Sequence, residues 1–290
     1  LDLIYANSVP SLDVAMELAS DRRCPVICHI HELDLAIQRY ASIEQFREFA
    51  PRIDAFIAAS GAVASNLVRQ YGVAPEKIHQ VYEAIAQPIL RPEPGAAVEL
   101  RARLGIPAEA FVVGGCGTID WRKGPDVFLQ VARSLAEQAL PRPVHFVWVG
   151  GEPVSWERKV LDHDVARMGL SERVHLVGPQ VEPAPYFSLF DVFVLTSRED
   201  PFPLVCLEAA ALGIPIICFA DAGGMPEFVG EDAGFVVPYL DVARASDRVR
   251  LLVTAEELRV RLGRCAAERV KKHDVLVIGP KIASVLDRFC

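Results

Sequence analysis

The chain has 290 residues, 51% of them hydrophobic, and a formal net charge of −8. That length and apolar content predict two domains with substantial cores. The acidic balance excludes a duplex nucleic-acid partner, which needs a clustered basic face, but leaves room for a local basic pocket for a small anion. No apolar run approaches the roughly 18–20 residues of a membrane span. The seven cysteines are scattered without a CxxC spacing, so zinc and dithiol chemistry are not expected and a reducing cytoplasm fits.

The chain opens at Leu1, inside the strand-like LDLIYANS and without an initiator Met, which reads as an N-terminally incomplete protein. Short apolar runs (LIYA, PVICHI, IDAFIAAS) then alternate with amphipathic segments (VAMELAS, IEQFREFA, GAVASNLVRQYG), the pattern of a parallel α/β layer. In HIHE, His29 and His31 share one strand face with Glu32 following. A metal is not expected there, because no third and fourth ligand stand at a recognisable spacing. A histidine at a strand's carboxyl end is instead placed to touch a ligand. Ser60 reads as a helix N-cap, with the N–H groups behind it able to hold an anion.

Residues 87–97, QPILRPEPGAA, carry three prolines and a glycine and predict a linker. A short helix over 98–104 follows. Six further strands are expected in FVVGG, HFVWVGG, RVHLVG, DVFVLTS, IPIICFA and GFVVPY, with helical patterns between them, a doubly wound domain. VARASDRVRLLV and EELRVRLGRCAAERVKKH predict two amphipathic helices, and IGPKIASVLDRFC a third behind a Gly-Pro break.

Three segments of this second series carry chemistry. FVVGGCGTIDWRKGP places Arg122 and Lys123 just ahead of a helix start, where free N–H groups and two cations would neutralise a diphosphate. A nicotinamide fingerprint fits poorly, since Asp120 stands where the third glycine of G-x-G-x-x-G belongs. Gly150-Gly151 and Gly223-Gly224, with Glu227 after the latter, are turns expected at the same carboxyl edge. DVFVLTSREDPFPLVCLEAAALGIP reads as strand, turn and helix, with Pro203 in the first helical turn and Gly213 closing the helix. Leu204, Leu207, Glu208, Ala211 and Leu212 form its predicted apolar stripe, with Glu208 on or beside it. The alternatives are that Asp200 caps this helix and Glu208 pairs with an arginine, or that both carboxylates face one cleft.

GGCGTIDWRKG, VWVGGE, FDVFVLTS and the acidic pair Asp200 and Glu208, with seven residues between them, resemble the group 1 (family 4) retaining glycosyltransferases of GT-B fold. The resemblance covers essentially the whole chain and implies two Rossmann-like doubly wound parallel-sheet domains facing a cleft. These would be a partial acceptor-side domain over 1–92, a nucleotide-sugar domain over 93–273, and a C-terminal helix over 274–290 crossing back to the first. The family's first domain opens with further βα units and a Gly-rich acceptor loop, neither visible here. By resemblance, Glu208 binds the nucleotide's ribose, Asp200 and the backbone of Phe202, Pro203 and Leu204 hold the sugar, and Lys123 with Gly117 and Arg122 meets the diphosphate. Gly150 belongs to the same rim, Val177 and Gly178 pack against the base, and His31 stands at the sugar. Asp200 departs from the family's usual Glu, and Thr118 stands where the family has an arginine, for which Arg122 would substitute.

The implied activity is retaining transfer of a hexose-type sugar from a nucleotide diphosphate sugar to a glycan, lipid-linked or small-molecule acceptor. Lys123, Asp200 and His31 would be catalytic, and no cofactor or metal would be required. The alternatives are an inactive nucleotide-sugar-binding module, or a related hydrolase or epimerase. A cytoplasmic place is expected, with peripheral association at the inner membrane face allowed, in cell-envelope polysaccharide synthesis.

Overall fold

A computed structural model describes residues 2–22, 24–87 and 95–289. The first parallel sheet is built from β1 (Ile4–Asn7), β2 (Val26–Ile30), β3 (Ala55–Ala58) and β4 (Ile78–Gln80), in the order β1-β2-β3-β4. Between these strands lie α1 (Leu12–Arg22), α2 (Asp34–Gln38), α3 (Ile43–Phe49) and α4 (Gly61–Tyr71). β2 and β3 are buried along their whole length, as their continuous apolar runs require when helices cover both faces. Ser42 and Gln45 close a reciprocal capping box on α3, and Ser60 caps α4. The strand β4 carries little apolar signal and is not among the strands predicted from sequence.

The second half begins with α5 (Ala96–Leu104), whose first turn takes up the end of the predicted linker. The linker's proline run and the expected boundary at 92/93 lie outside the described residues. Next come β5 (Phe111–Cys116), α6 (Pro125–Ala136), β6 (Val144–Val149), α7 (Trp156–Arg167), β7 (Val174–Gly178), α8 (Ala184–Phe187), β8 (Val192–Leu195), α9 (Leu204–Ala211), β9 (Ile216–Phe219), α10 (Met225–Val229) and β10 (Gly234–Val237). All six predicted strands form one parallel sheet in the order β10-β9-β8-β5-β6-β7. That order reverses direction between β5 and β8. Ligands of such sheets bind in the crevice at the carboxyl ends of the strands flanking the reversal.

The chain ends in α11 (Val242–Thr254), α12 (Glu256–Val270) and α13 (Val275–Leu286). The expected Gly-Pro break is absent, because α13 starts before it and runs through Pro280. Asp274 caps that helix by accepting from Leu276 N–H, so the true start signal lies upstream of the proline. Ile278 and Val285 of α13 pack with Ile27, Ala55, Ile57 and Val81 of the first half. α13 therefore completes a core that the first sheet's own helices leave open. Among the described residues no helix is long and apolar enough to cross a membrane.

Candidate active site

The loops leaving β5 and β8 are hydrogen-bonded to each other at the point where the sheet reverses. Arg198 N–H donates to Arg122 O (2.7 Å) and the Thr196 hydroxyl to Lys123 O (3.3 Å). Gly124, with φ 66°, makes this possible, since a Cβ there would lie 2.2 Å from Thr196 O. The result joins residues far apart in sequence: Lys123 Nζ reaches Asp200 Oδ2 at 2.6 Å, and Ser197 Oγ donates to the same oxygen at 2.9 Å. Arg122 Nη1 lies 3.8 Å from Asp200 Oδ1 and donates to Glu199 O at 3.2 Å. Asp200 is thus no helix cap but a carboxylate buried to 4% exposure, held by two cations and a hydroxyl. Arg122, expected to stand in for the arginine missing at Thr118, lies on this cluster. Thr118 itself bonds Asp120, whose other oxygen accepts from Lys123 N–H.

Glu208 has a different environment. Among the described residues its carboxylate has no ion pair and no hydrogen bond, so the expected alternative of a structural arginine partner is not observed. Burial alone pushes its pKa up. It faces the end of β5, where burial and the Glu208 charge together push the Cys116 thiol up to about 12. The predicted stripe of α9 needs correction. Cys206, Leu207, Ala209 and Ala210 are its buried residues, whereas Leu204 is 42% exposed. The helix packs against β8 and β9 on one side and α12 on the other, so its buried arc is displaced from the amphipathic stripe. Glu208 stands at the rim of that arc. Pro203 sits one position earlier than expected, as the N-cap with extended ψ.

The glycine turns line up along the same edge, where Gly117 N–H donates to Val149 O (2.9 Å) and Gly150 N–H to Gly178 O (2.8 Å). Gly117 leaves room for the Lys123 stem, which would lie 3.0 Å from a Cβ. Val177 is half-buried at the end of β7. Phe202 is expected to meet the sugar through its backbone, and its side chain packs between the halves. It stacks on His273 and lies against Tyr82, with ring centroids 5.3 and 5.0 Å away, at the junction of the two halves.

On the first sheet, His29 and His31 do share a face, their rings 4.0 Å apart. His31 Nε2 lies 2.8 Å from Asn7 Oδ1, and Nδ1 contacts Glu83 directly. Burial alone would lower the His31 pKa, but the Glu83 hydrogen bond and charge, aided by Glu32, raise it. His29 goes the other way, lowered to about 4 by burial and by His31, and its Nε2 has no partner among the described residues. Glu83 supplies the third acidic or imidazole group that the spacing of HIHE could not show. His29, His31 and Glu83 each bring a possible ligand atom within 4.8 Å of the others. Glu32 is turned away onto Ser8 and the backbone of Val9 and His31.

Glu227, expected in the crevice, borders the cavity between the halves and accepts from Gly61 N–H and Ala62 N–H of the first, both at 3.0 Å. The anion expected at the start of α4 is thus this side chain, while Ser60 caps Val63 N–H as predicted. Sequence reasoning missed Glu199, Glu83, Tyr82 and Asn7. For Glu199, a charged residue next to Asp200 was the available signal.

Residues 98–269 match the family described as Glycosyl transferases group 1, and residues 1–86 match Glycosyltransferase Family 4. The chain belongs to the group 1 glycosyl transferases. D-inositol 3-phosphate glycosyltransferase 1 of Catenulispora acidiphila is 28% identical over 87% of this chain and 64% of its own length. The D-inositol 3-phosphate glycosyltransferase of Streptomyces bingchenggensis is 32% identical over 76% of this chain and 49% of its own. The chain therefore spans about half to two thirds of the length of these curated relatives. Among solved structures, Anabaena HepE in complex with UDP superposes with a TM-score of 0.87 at 24% identity, covering 99% of this chain and 79% of that one. Sucrose-phosphate synthase from Thermosynechococcus elongatus gives 0.83 at 23%, covering 99% and 73%. These likenesses, with the two parallel sheets, establish the GT-B fold of this group 1 chain.

Proposed function

We propose that this chain transfers a hexose-type sugar, with retention, from a uridine diphosphate sugar to a glycan, lipid-linked or small-molecule acceptor. The observation that carries the reading is the pairing of Lys123 with Asp200 at the reversal of the second sheet, beside an unpartnered Glu208. A half-buried carboxylate without a partner is costly to keep and suits a ligand offering two hydroxyls, such as a ribose. The choice of uridine draws on Anabaena HepE, whose structures were determined with UDP and with UDP-glucose.

In this reading the diphosphate lies beside the start of α6, where Lys123 and Arg122 face it. As the sugar–phosphate bond breaks, negative charge grows on the leaving oxygen, and cations fixed beforehand stabilise it without reorganising. Lys123 would exchange part of its contact with Asp200 for the phosphate, leaving Asp200 to hold a sugar hydroxyl. His31, held by Glu83 through Nδ1, stands at the carboxyl edge of the first sheet, where its Nε2 would exchange Asn7 for the sugar. The acceptor oxygen attacks from the face the diphosphate leaves, and the departing phosphate takes its proton. No protein nucleophile is then needed. A cytoplasmic site of action, with cell-envelope glycans as products, is part of this proposal.

The test has two arms. Calorimetry against UDP, GDP and ADP reads the base, and NMR of the product from UDP-glucose reads the anomeric configuration. Binding without turnover would assign a nucleotide-sugar-binding module, and release of free glucose without an acceptor a hydrolase.

A further inference from the structure

Two carboxylates of the second half reach across to the first, Glu199 partly buried and Glu227 exposed. Glu199 accepts from Leu35 N–H (2.9 Å) and Ala36 N–H (3.2 Å) at the start of α2. Glu227 accepts from Gly61 N–H and Ala62 N–H at the start of α4, and also from Gln80 Nε2 (3.2 Å) and the Tyr82 hydroxyl (2.8 Å). Each carboxylate fills the orphan N–H groups of a helix start, a charge-assisted arrangement reinforced by the helix dipole. All six donors belong to the first half and both acceptors to the second.

These contacts converge on one peptide. Glu199 immediately precedes Asp200. Asp200 N–H donates to Ala222 O (2.7 Å), and Gly224 N–H donates to Pro201 O (2.9 Å), with Asp200 O close by (3.4 Å). Gly223 lets these loops touch, since a Cβ there, at φ 142°, would lie 1.7 Å from Asp200 O. The turn that launches Glu227 is therefore hydrogen-bonded to the segment that carries Asp200. A cavity of about 670 Å³, bordered by Glu199, Glu227, Trp121 and Tyr239 from the second half and Asn66 and Arg69 from the first, lies beside the two bridges.

We propose that Glu199 and Glu227 are positioning residues that couple closure of the two halves to the placement of Asp200 against Lys123. This rests on the transfer reading above. Neither residue touches the donor. Each acts by seating the first half, and with it His31 and the acceptor, at a fixed distance from the Asp200 segment. Release of both carboxylates opens the cleft and frees the loop between β8 and α9, whereas the diphosphate contacts of Lys123 and Arg122 remain within the second half.

The experiment compares the parent chain with Glu199→Ala/Glu227→Ala and Glu199→Gln/Glu227→Gln. UDP binding is measured by calorimetry, UDP release from UDP-glucose as turnover, and the radius of gyration by small-angle scattering with and without UDP. The expected result for the Ala pair is UDP affinity within about twofold of the parent and turnover reduced on the order of 100-fold, the scale of a small misplacement at the reacting centre. Its scattering radius should exceed the parent's. The Gln pair should recover part of the turnover, because an amide oxygen still accepts from N–H groups. Parent-like turnover and compactness in the Ala pair overturn the proposal, as does an equal loss of UDP affinity and folding cooperativity, which marks a merely structural role. If the parent itself neither binds UDP nor releases it, the transfer reading falls. Scattering then decides closure alone, and an Ala pair no more open than the parent overturns it.

Discussion

Lys123 Nζ meets Asp200 Oδ2 at 2.6 Å across the reversal of the second sheet, with the two side chains only 14% and 5% exposed. Removing one partner of such a pair leaves the other as an uncompensated charge, which costs far more than the pair contributes intact. The residue assigned to the diphosphate is therefore also a structural counter-ion.

Lys123→Ala should lower turnover by on the order of a hundredfold or more, the range for deleting one preorganised electrostatic group. It should also destabilise the fold, because only Arg122 and Ser197 then remain to hold the Asp200 carboxylate. Lys123→Ala/Asp200→Asn should regain most of that stability and none of the turnover. Urea unfolding beside a UDP-release assay separates the two losses, and near-wild-type kinetics in the single variant would contradict the assignment.

Glu208→Gln should weaken UDP binding and at the same time raise the melting temperature of the unliganded protein. Burial raises the folded pKa of this carboxyl, so the folded state holds its proton more tightly than the unfolded one does. Stability is then lost as pH rises above the unfolded value, and an uncharged amide escapes that loss. A variant less stable than its parent at neutral pH would point to a hidden structural partner.

His29 and His31 predict opposite pH slopes. With its pKa lowered to about 4, His29 stays neutral in the fold while its unfolded counterpart takes a proton below 6.5. Stability should therefore fall on acidification between about pH 6.5 and 4, by on the order of 3 kcal/mol from this group. His31, raised by Glu83, contributes stability that is full below its unfolded value and is lost as pH rises through its folded one. Thermal melts across pH should show the acid slope vanish in His29→Asn and the alkaline slope vanish in Glu83→Gln.

Much of this was readable in advance, for identifiable reasons. Each strand of the second sheet is a β-branched or aromatic run closed by Gly or polar residues, so local pattern and burial agree. Asp200 and Glu208 were marked by their spacing and by the flanking strand and helix. Leu204 was misplaced because α9 is packed on two sides, and a hydrophobic stripe reports only one. The start of α13 was missed because its cap, Asp274, lies six positions before the more conspicuous Pro280. Glu199, Glu83 and Glu227 act through contacts to backbone N–H groups or a histidine separated from them by 164, 52 and 166 positions. No sequence pattern encodes such a pairing, because backbone donors look alike whatever residue carries them.

Asp200→Glu would restore the residue usual in the family and should not help here. The pocket already holds Lys123 and Ser197 at bonding distance from the shorter arm, and an extra methylene in a filled site costs about 1–3 kcal/mol. Chemical denaturation should show that loss, with turnover below the parent's. Higher turnover would mean that the donor sugar, not the protein, fixes the length of this side chain.

The chain passes between its halves twice, once after Ile85 and once before α13, and the two passages are bonded to each other. Ile85 N–H donates to His273 O (3.0 Å) and Val275 N–H to Ile85 O (3.1 Å). Two tethers fastened side by side behave like a door hung on one jamb, which swings about that line but does not slide or twist freely. The aromatic rings of Tyr82, Phe202 and His273 are the packing around the pin. A chain ending before α13 would keep both leaves but hang them from a single thread, and the first sheet would lose the helix that covers Ile27, Ala55 and Ile57.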